Sequence, residues 1–172
     1  MKSPDFDRLW KYVIEQFPVG NHSIHGPVHW KKVEENGLML AHETGAEQTI
    51  IRLFAIFHDS RRENDSADPG HGMRGAEFAR SLRGEYFDLS DSSFEILLFA
   101  CRYHTDHVSD PDITIATCWD ADRLDLPRAG IVPDPERMAT AYGRRVRQGK
   151  ITRAAIFPAG FSCLKRDIFT LA

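Results

Sequence analysis

Long hydrophobic runs, paired cysteines and an excess of charge of one sign are all missing from this sequence. The longest apolar stretch, Ile50 to Phe57, is broken by Arg52 and falls well short of the roughly 20 residues that a bilayer-spanning helix needs. No membrane segment is expected. The opening text, MKSPDFDRLWKYVIEQF, mixes charged and apolar side chains, so a secretory leader with a continuously apolar centre is not expected either. A net charge of -3 gives no global attraction to nucleic acid or to an anionic membrane. No DNA or RNA polymer is expected as a partner, and an anionic ligand must be caught locally. Cys101, Cys118 and Cys163 form no CxxC pair and leave an odd count, which argues against a disulfide framework and for a cytoplasmic setting.

Period-two alternation is missing as well. No segment alternates polar and apolar residues over a strand's length, and there is no internal repeat, so an all-α, irregular helical bundle is expected. With 42% hydrophobic and 27% charged residues, residues 1–172 have the composition and length of a single domain with one core.

What is present is helical spacing. Ser3 and Pro4 predict the start of a first helix carrying Leu9, Trp10, Val13 and Phe17. Pro27 opens a second, in which His29, Val33, Asn36 and Leu40 share a face until Gly45. A third, about 46–60, is apolar nearly all round and ends in His58 and Asp59. After a polar loop, a fourth aligns His71, Gly75, Ala79 and Leu82. A fifth, with a capping box of Ser92 and Glu95, aligns Leu97, Cys101 and His104. A sixth, about 113–126, aligns Ile115, Trp119, Asp122 and Leu126, and a last helix runs from Pro133–Pro135 to about Gln148. Histidines thus recur on inward stripes.

Carboxylates on inward faces need partners, because an isolated buried charge costs several kcal/mol. A divalent cation is one such partner. Imidazole nitrogen together with aspartate oxygen suits Mn, Fe, Co, Ni or Zn, with Mg less apt. His29, His58, Asp59 and Asp122 form such a set.

The order His, then His-Asp, then Asp is carried by HGPVHWKKV, LFAIFHDS and DADRLD on separate helices. It resembles the HD-domain superfamily of metal-dependent phosphohydrolases over about residues 21–128. The resemblance implies that His29, His58, Asp59 and Asp122 hold a catalytic metal, with Asp59 as the catalytic residue and Asp122 as the second aspartate of DADRLD. It implies hydrolysis of a nucleotide or other small phosphate ester by a metal-activated water. Members with two ions use further histidines between the HD pair and the last aspartate, which here are His71 and His104, with His107 a weaker candidate. Arg61 and Arg62 are placed to grip a phosphate, since guanidinium offers bidentate donors; Lys32 and Arg123 stand beside ligands but read as solvated helix faces. Some members carry a glutamate three residues after the HD aspartate, where this chain has Arg62, so Asp65, Asp68 or Asp125 would have to move protons. His22, His25 and His42 read as residues without a role, and the basic run from Arg144 to Arg153 as a solvated face.

Two other functions fit the pattern. HD-fold di-iron oxygenases use a similar His, His-Asp, His, His, Asp set, and a non-catalytic sensor would bind a nucleotide without turnover. No GYP text follows the histidines, which disfavours a cyclic dinucleotide phosphodiesterase.

Overall fold

The computed structural model describes residues 4–151, so Ser3, Arg153 and Cys163 lie outside the described residues. Seven α-helices occupy them: α1 (Phe6–Glu15), α2 (Pro27–Thr44), α3 (Gln48–Phe57), α4 (His71–Leu82), α5 (Asp91–Tyr103), α6 (Ile113–Arg123) and α7 (Ala141–Arg147). Short 3-10 turns cover Leu126–Ala129 and Pro135–Arg137. Among the described residues there is no strand, only an isolated bridge between Arg83 and Phe87. No helix of the described residues is long and apolar enough to cross a membrane.

The helix α3 is the axis of the packing and touches α2, α4, α5 and α6. Ile50, Ile51, Leu53, Phe54, Ala55, Ile56 and Phe57 are all buried on it, and burying each of the larger ones contributes about 1.5–3 kcal/mol. Arg52, the one charge in this run, reaches out to the buried carboxylate of Glu34 at 2.8 Å and lies over the Phe6 ring. The long α2 presents His29, Val33, Asn36 and Leu40 inward, and Asn36 donates to the Ala121 carbonyl, which ties α2 to α6 one residue before Asp122.

Two glycines set how closely α4 can approach. A Cβ on Gly75 would strike the Phe57 carbonyl oxygen, and one on Gly72 would sit 2.5 Å from the Cys101 carbonyl oxygen. Without side chains there, α4 presses onto the C-terminal ends of both α3 and α5. Those are the ends that carry His58, Asp59 and His104.

Helix boundaries depart from expectation where a polar side chain caps elsewhere. Asp5, not Ser3, caps α1 by accepting from the Arg8 N–H. Ser90, not Ser92, caps α5 by accepting from the Ser93 N–H. The last segment divides: Pro135–Arg137 makes only a 3-10 turn, and α7 starts anew under Thr140, whose hydroxyl accepts from the Gly143 N–H. The buried Asp120 carboxylate enforces that restart by accepting from the N–H groups of Ala139 and Thr140 and from the Thr140 hydroxyl.

Candidate metal centre

His58 follows the last residue of α3 and stays in helical conformation, so its ring lies back along the helix. Its Nδ1 is 3.1 Å from the Phe54 carbonyl and 3.2 Å from the Ala55 carbonyl. A carbonyl only accepts, so Nδ1 carries the proton and Nε2 presents a lone pair. His29, on the first turn of α2, donates from Nδ1 to the Asp125 carboxylate at 2.8 Å. Its Nε2 lies 3.0 Å from His58 Nε2, 3.2 Å from Asp122 Oδ1 and 3.7 Å from Asp59 Oδ2. His58 Nε2 is 3.8 Å from Asp59 Oδ2 and 3.9 Å from Asp122 Oδ1.

The pattern repeats on the other side of Asp59. His71 Nδ1 contacts the Asp68 carbonyl, and His104 Nδ1 donates to the Cys101 carbonyl at 2.7 Å. Their Nε2 atoms are 3.0 Å apart and lie 3.2 Å and 3.6 Å from Asp59 Oδ1. Two groups that could hold a metal ion result: His29, His58 and Asp59, with Asp122 beside the first two, and Asp59, His71 and His104. Asp59 belongs to both, one oxygen toward each.

The donor chemistry fits cations. With each Nδ1 committed outward, neutral Nε2 lone pairs face one another and face carboxylate oxygens, which is repulsive unless a proton or a metal lies between them. Without a cation, protons would have to take that place. Burial opposes a charge on His29, but the bonds to Asp122 and Asp125 outweigh it and raise its pKa. The same opposition on His104 is overcome by Asp59, and its pKa rises too. His58, fully buried, is pushed down to about 3. Against their own burial, the surrounding histidines hold Asp59 and Asp122 well below the usual carboxylate range.

The remaining candidates each have partners in the fold. Arg61 donates to the Gln16 carbonyl at 2.8 Å and lies over the Phe78 ring, on the outside of the α4 packing. Arg62 is buried, donates to Asp59 Oδ1 at 3.1 Å, and spends its Nη1 on the carbonyls of Asn64 and Ser66. It braces the Asp59 carboxylate and the loop. Asp68 is paired with Arg74 and accepts from the Glu63 N–H, while its carbonyl orients His71. Asp65 accepts from the Ser23 hydroxyl. Asp125 orients His29. Arg123 donates to the carbonyls of His107, Val108 and Arg137 instead of standing in solvent. His107 stacks on Tyr103. Lys32 faces Glu35 at 3.3 Å, and His42 faces Glu43 at 2.9 Å.

His25 departs most from expectation. It lies on a turn, but its Nδ1 is 2.9 Å from Asp59 Oδ2 and 3.2 Å from Arg128 Nη2. The spacing to His29 looked like an interrupted helix because Gly26 and Pro27 intervene. The Trp30 indole N–H, donating to the His25 carbonyl at 2.6 Å, folds that interruption back onto the centre. The sequence holds a signal for this, a histidine one turn before a ligand histidine, but not the indole bond that makes it effective.

No protein-family model matches the chain, and no curated protein matches it. Among solved structures the chain is similar to a protein described as a predicted HD superfamily hydrolase from an uncultured Thermotogales bacterium. The TM-score is 0.69 at 24% identity, and the match covers 86% of each chain. At that identity the likeness speaks for the backbone alone, and with the helical architecture above it establishes that this chain shares the all-α fold of that protein.

Proposed function

We propose that the chain is a metal-dependent phosphohydrolase acting on a nucleotide or another small phosphate ester. The observation that carries this reading is the orientation of four histidines whose Nδ1 atoms are tied outward and whose Nε2 atoms converge on the two oxygens of Asp59. His29, His58, Asp59 and Asp122 would hold one cation, and Asp59, His71 and His104 a second, from among Mn, Fe, Co, Ni or Zn. Bound there, such cations supply Lewis acidity toward a phosphoryl oxygen and lower the pKa of water. In the reaction, water adds its oxygen to phosphorus, the ester P–O bond breaks, and the leaving oxygen departs as an alcohol after taking up a proton. The chain's own contribution is placement: Asp125 and the main-chain carbonyls fix the histidine rings, and Arg62 holds Asp59.

The sharing of Asp59 between two groups also favours a second reading, a di-iron oxygenase. Metal analysis of protein purified without chelator, followed by a phosphate-ester panel under anaerobic conditions with added Mn, Co or Ni, separates them. Phosphate release without dioxygen supports the hydrolase. Two irons per chain with dioxygen consumption and no phosphate release would replace it with the oxygenase.

A further inference from the structure

Beside the first group lies a cavity of about 710 Å3 whose wall includes Ile24, Val28, His29, Lys32, Asp125 and Arg128. Its size is that of a small-molecule site. His29 and Asp125 set one side of it against the ligand groups. The opposite character comes from Ile24 and Val28, which are 46% and 65% exposed although both are large and apolar. Val28 directly precedes a ligand histidine on α2, so its exposure leaves an apolar surface within one residue of the centre.

The cations of this wall differ in how firmly they are held. Arg128 is fixed: its Nε donates to the Ile24 carbonyl at 2.8 Å and its Nη1 to the Asp125 carbonyl at 3.1 Å, and its side chain is only 17% exposed. Its Nη2 also lies 3.2 Å from His25 Nδ1, and the guanidinium keeps further N–H donors, one on each Nη, in a plane suited to phosphate. Lys32 is held only at the surface. Its pair with Glu35 joins two side chains that are each 42% exposed, an arrangement worth about 0–1 kcal/mol, so an incoming anion can recruit it. With Arg61 and Arg62 engaged elsewhere, the cations that a ligand entering by this cavity meets are Arg128, Lys32 and Lys31, the last held at 2.6 Å by the buried Glu34 carboxylate.

We propose that this cavity receives the substrate's leaving group and selects small phosphate monoesters whose leaving group is apolar or aromatic. The phosphoryl group faces Arg128 and the ligand histidines, the apolar part lies along Ile24 and Val28, and Lys32 adds charge to the phosphoryl side. The assignment rests on the phosphohydrolase reading and deepens it from reaction type to substrate class.

The test is calorimetric titration of the full chain, metal-free and with added Mn, using phenylphosphonate and methylphosphonate. The two probes share the anion, resist hydrolysis, and differ in the apolar group. Phenylphosphonate is expected to bind about tenfold more tightly, the effect of covering one ring face. In the Ile24→Ser/Val28→Ser double variant, both positions being exposed, the preference is expected to fall within about twofold while methylphosphonate affinity holds. Arg128→Gln is expected to weaken both probes alike by about tenfold. Should loss of its loop bonds unfold that variant, the serine double variant still decides. Absence of binding, a preference near one in the unaltered chain, or a preference that survives the serine substitutions would overturn the assignment. If the preference appears and vanishes as expected but Mn changes neither affinity, the cavity assignment stands and the metal reading fails.

Discussion

The two ligand groups share Asp59 but are built on different supports. In the first, His29 is oriented by a carboxylate, Asp125, which lies near the surface and is itself approached by Arg128 at 3.7 Å. In the second, both histidines are oriented by main-chain carbonyls, of Asp68 and Cys101, and both are buried. A carboxylate partner increases the basicity of the imidazole it holds and can be changed by a single side chain. Carbonyl partners cannot be substituted away, so the second group depends on how the loop before α4 and the end of α5 that bear them pack. The first group is tunable and opens on a cavity, whereas the second is set by backbone and enclosed.

Substitutions separate these supports, and the shared residue should have the largest effect. Asp59→Ala removes a ligand oxygen from each group, and metal content measured by elemental analysis is expected to fall from two ions per chain to none, with phosphate release lost. Retention of one tightly bound ion would mean that Asp59 does not join the groups.

Next in size is a change that touches no ligand side chain. Gly75→Ala places a methyl group against the Phe57 and His58 carbonyls, which forces α4 away from α3 at a cost of about 1–3 kcal/mol. The second ion is expected to be lost while the first remains, together with a drop in thermal midpoint of several degrees, about 2–8 °C. Loss of both ions equally would show that the groups are not separately supported. Asp125→Asn makes the complementary change. Metal affinity of the first group is expected to fall by about 10–100-fold with the second unchanged, the usual effect of altering an outer partner of a ligand histidine.

This contrast also explains what could be read from the sequence. The helices were legible because α2 to α6 each carry apolar residues at helical spacing, and the ligands were legible because each histidine ends or begins such a stripe. Spacing put Asp122 on one stripe of α6 with Ile115, Trp119 and Leu126, and gave no role to Asp120. The structure turns Asp120 toward the N–H groups of Ala139 and Thr140, a bond to a segment 19 residues later. The partners of Arg61 and Arg62 were hidden for a related reason. A polar loop says nothing about which arginine will find a carbonyl or a ring, and both found partners in the fold. His25 was hidden by the glycine and proline that follow it, because local rules break the helix there while the indole five residues on restores the approach. Contacts set by long-range closure, and not by periodicity, are the part that sequence could not supply.

The smallest expected effect is on pH dependence, where the two groups should behave alike until Asp125 is altered. In the metal-free chain each group holds one histidine with a raised pKa, His29 in the first and His104 in the second. A histidine whose pKa is raised on folding contributes stability that is complete below its ordinary 6.5 and is lost as pH rises through the raised value. The thermal midpoint of metal-free protein should therefore decline above pH 6.5. Below 6.5 the sign reverses through His58, whose folded pKa of about 3 means that the unfolded chain takes up a proton there first, so stability also falls toward acid. A bound cation displaces the protons on His29 and His104, so metal affinity rises with pH and the alkaline decline disappears in loaded protein. Asp125→Asn removes one of the bonds that raise His29 and should shrink the metal-free decline by the share of the first group alone, leaving that of His104. Melting curves at intervals between pH 5.5 and about 8.5, with and without Mn, measure this. A metal-free midpoint that does not change with pH over that range would mean that protons do not hold the place between the facing histidines, and the lone-pair argument for cations would lose its footing.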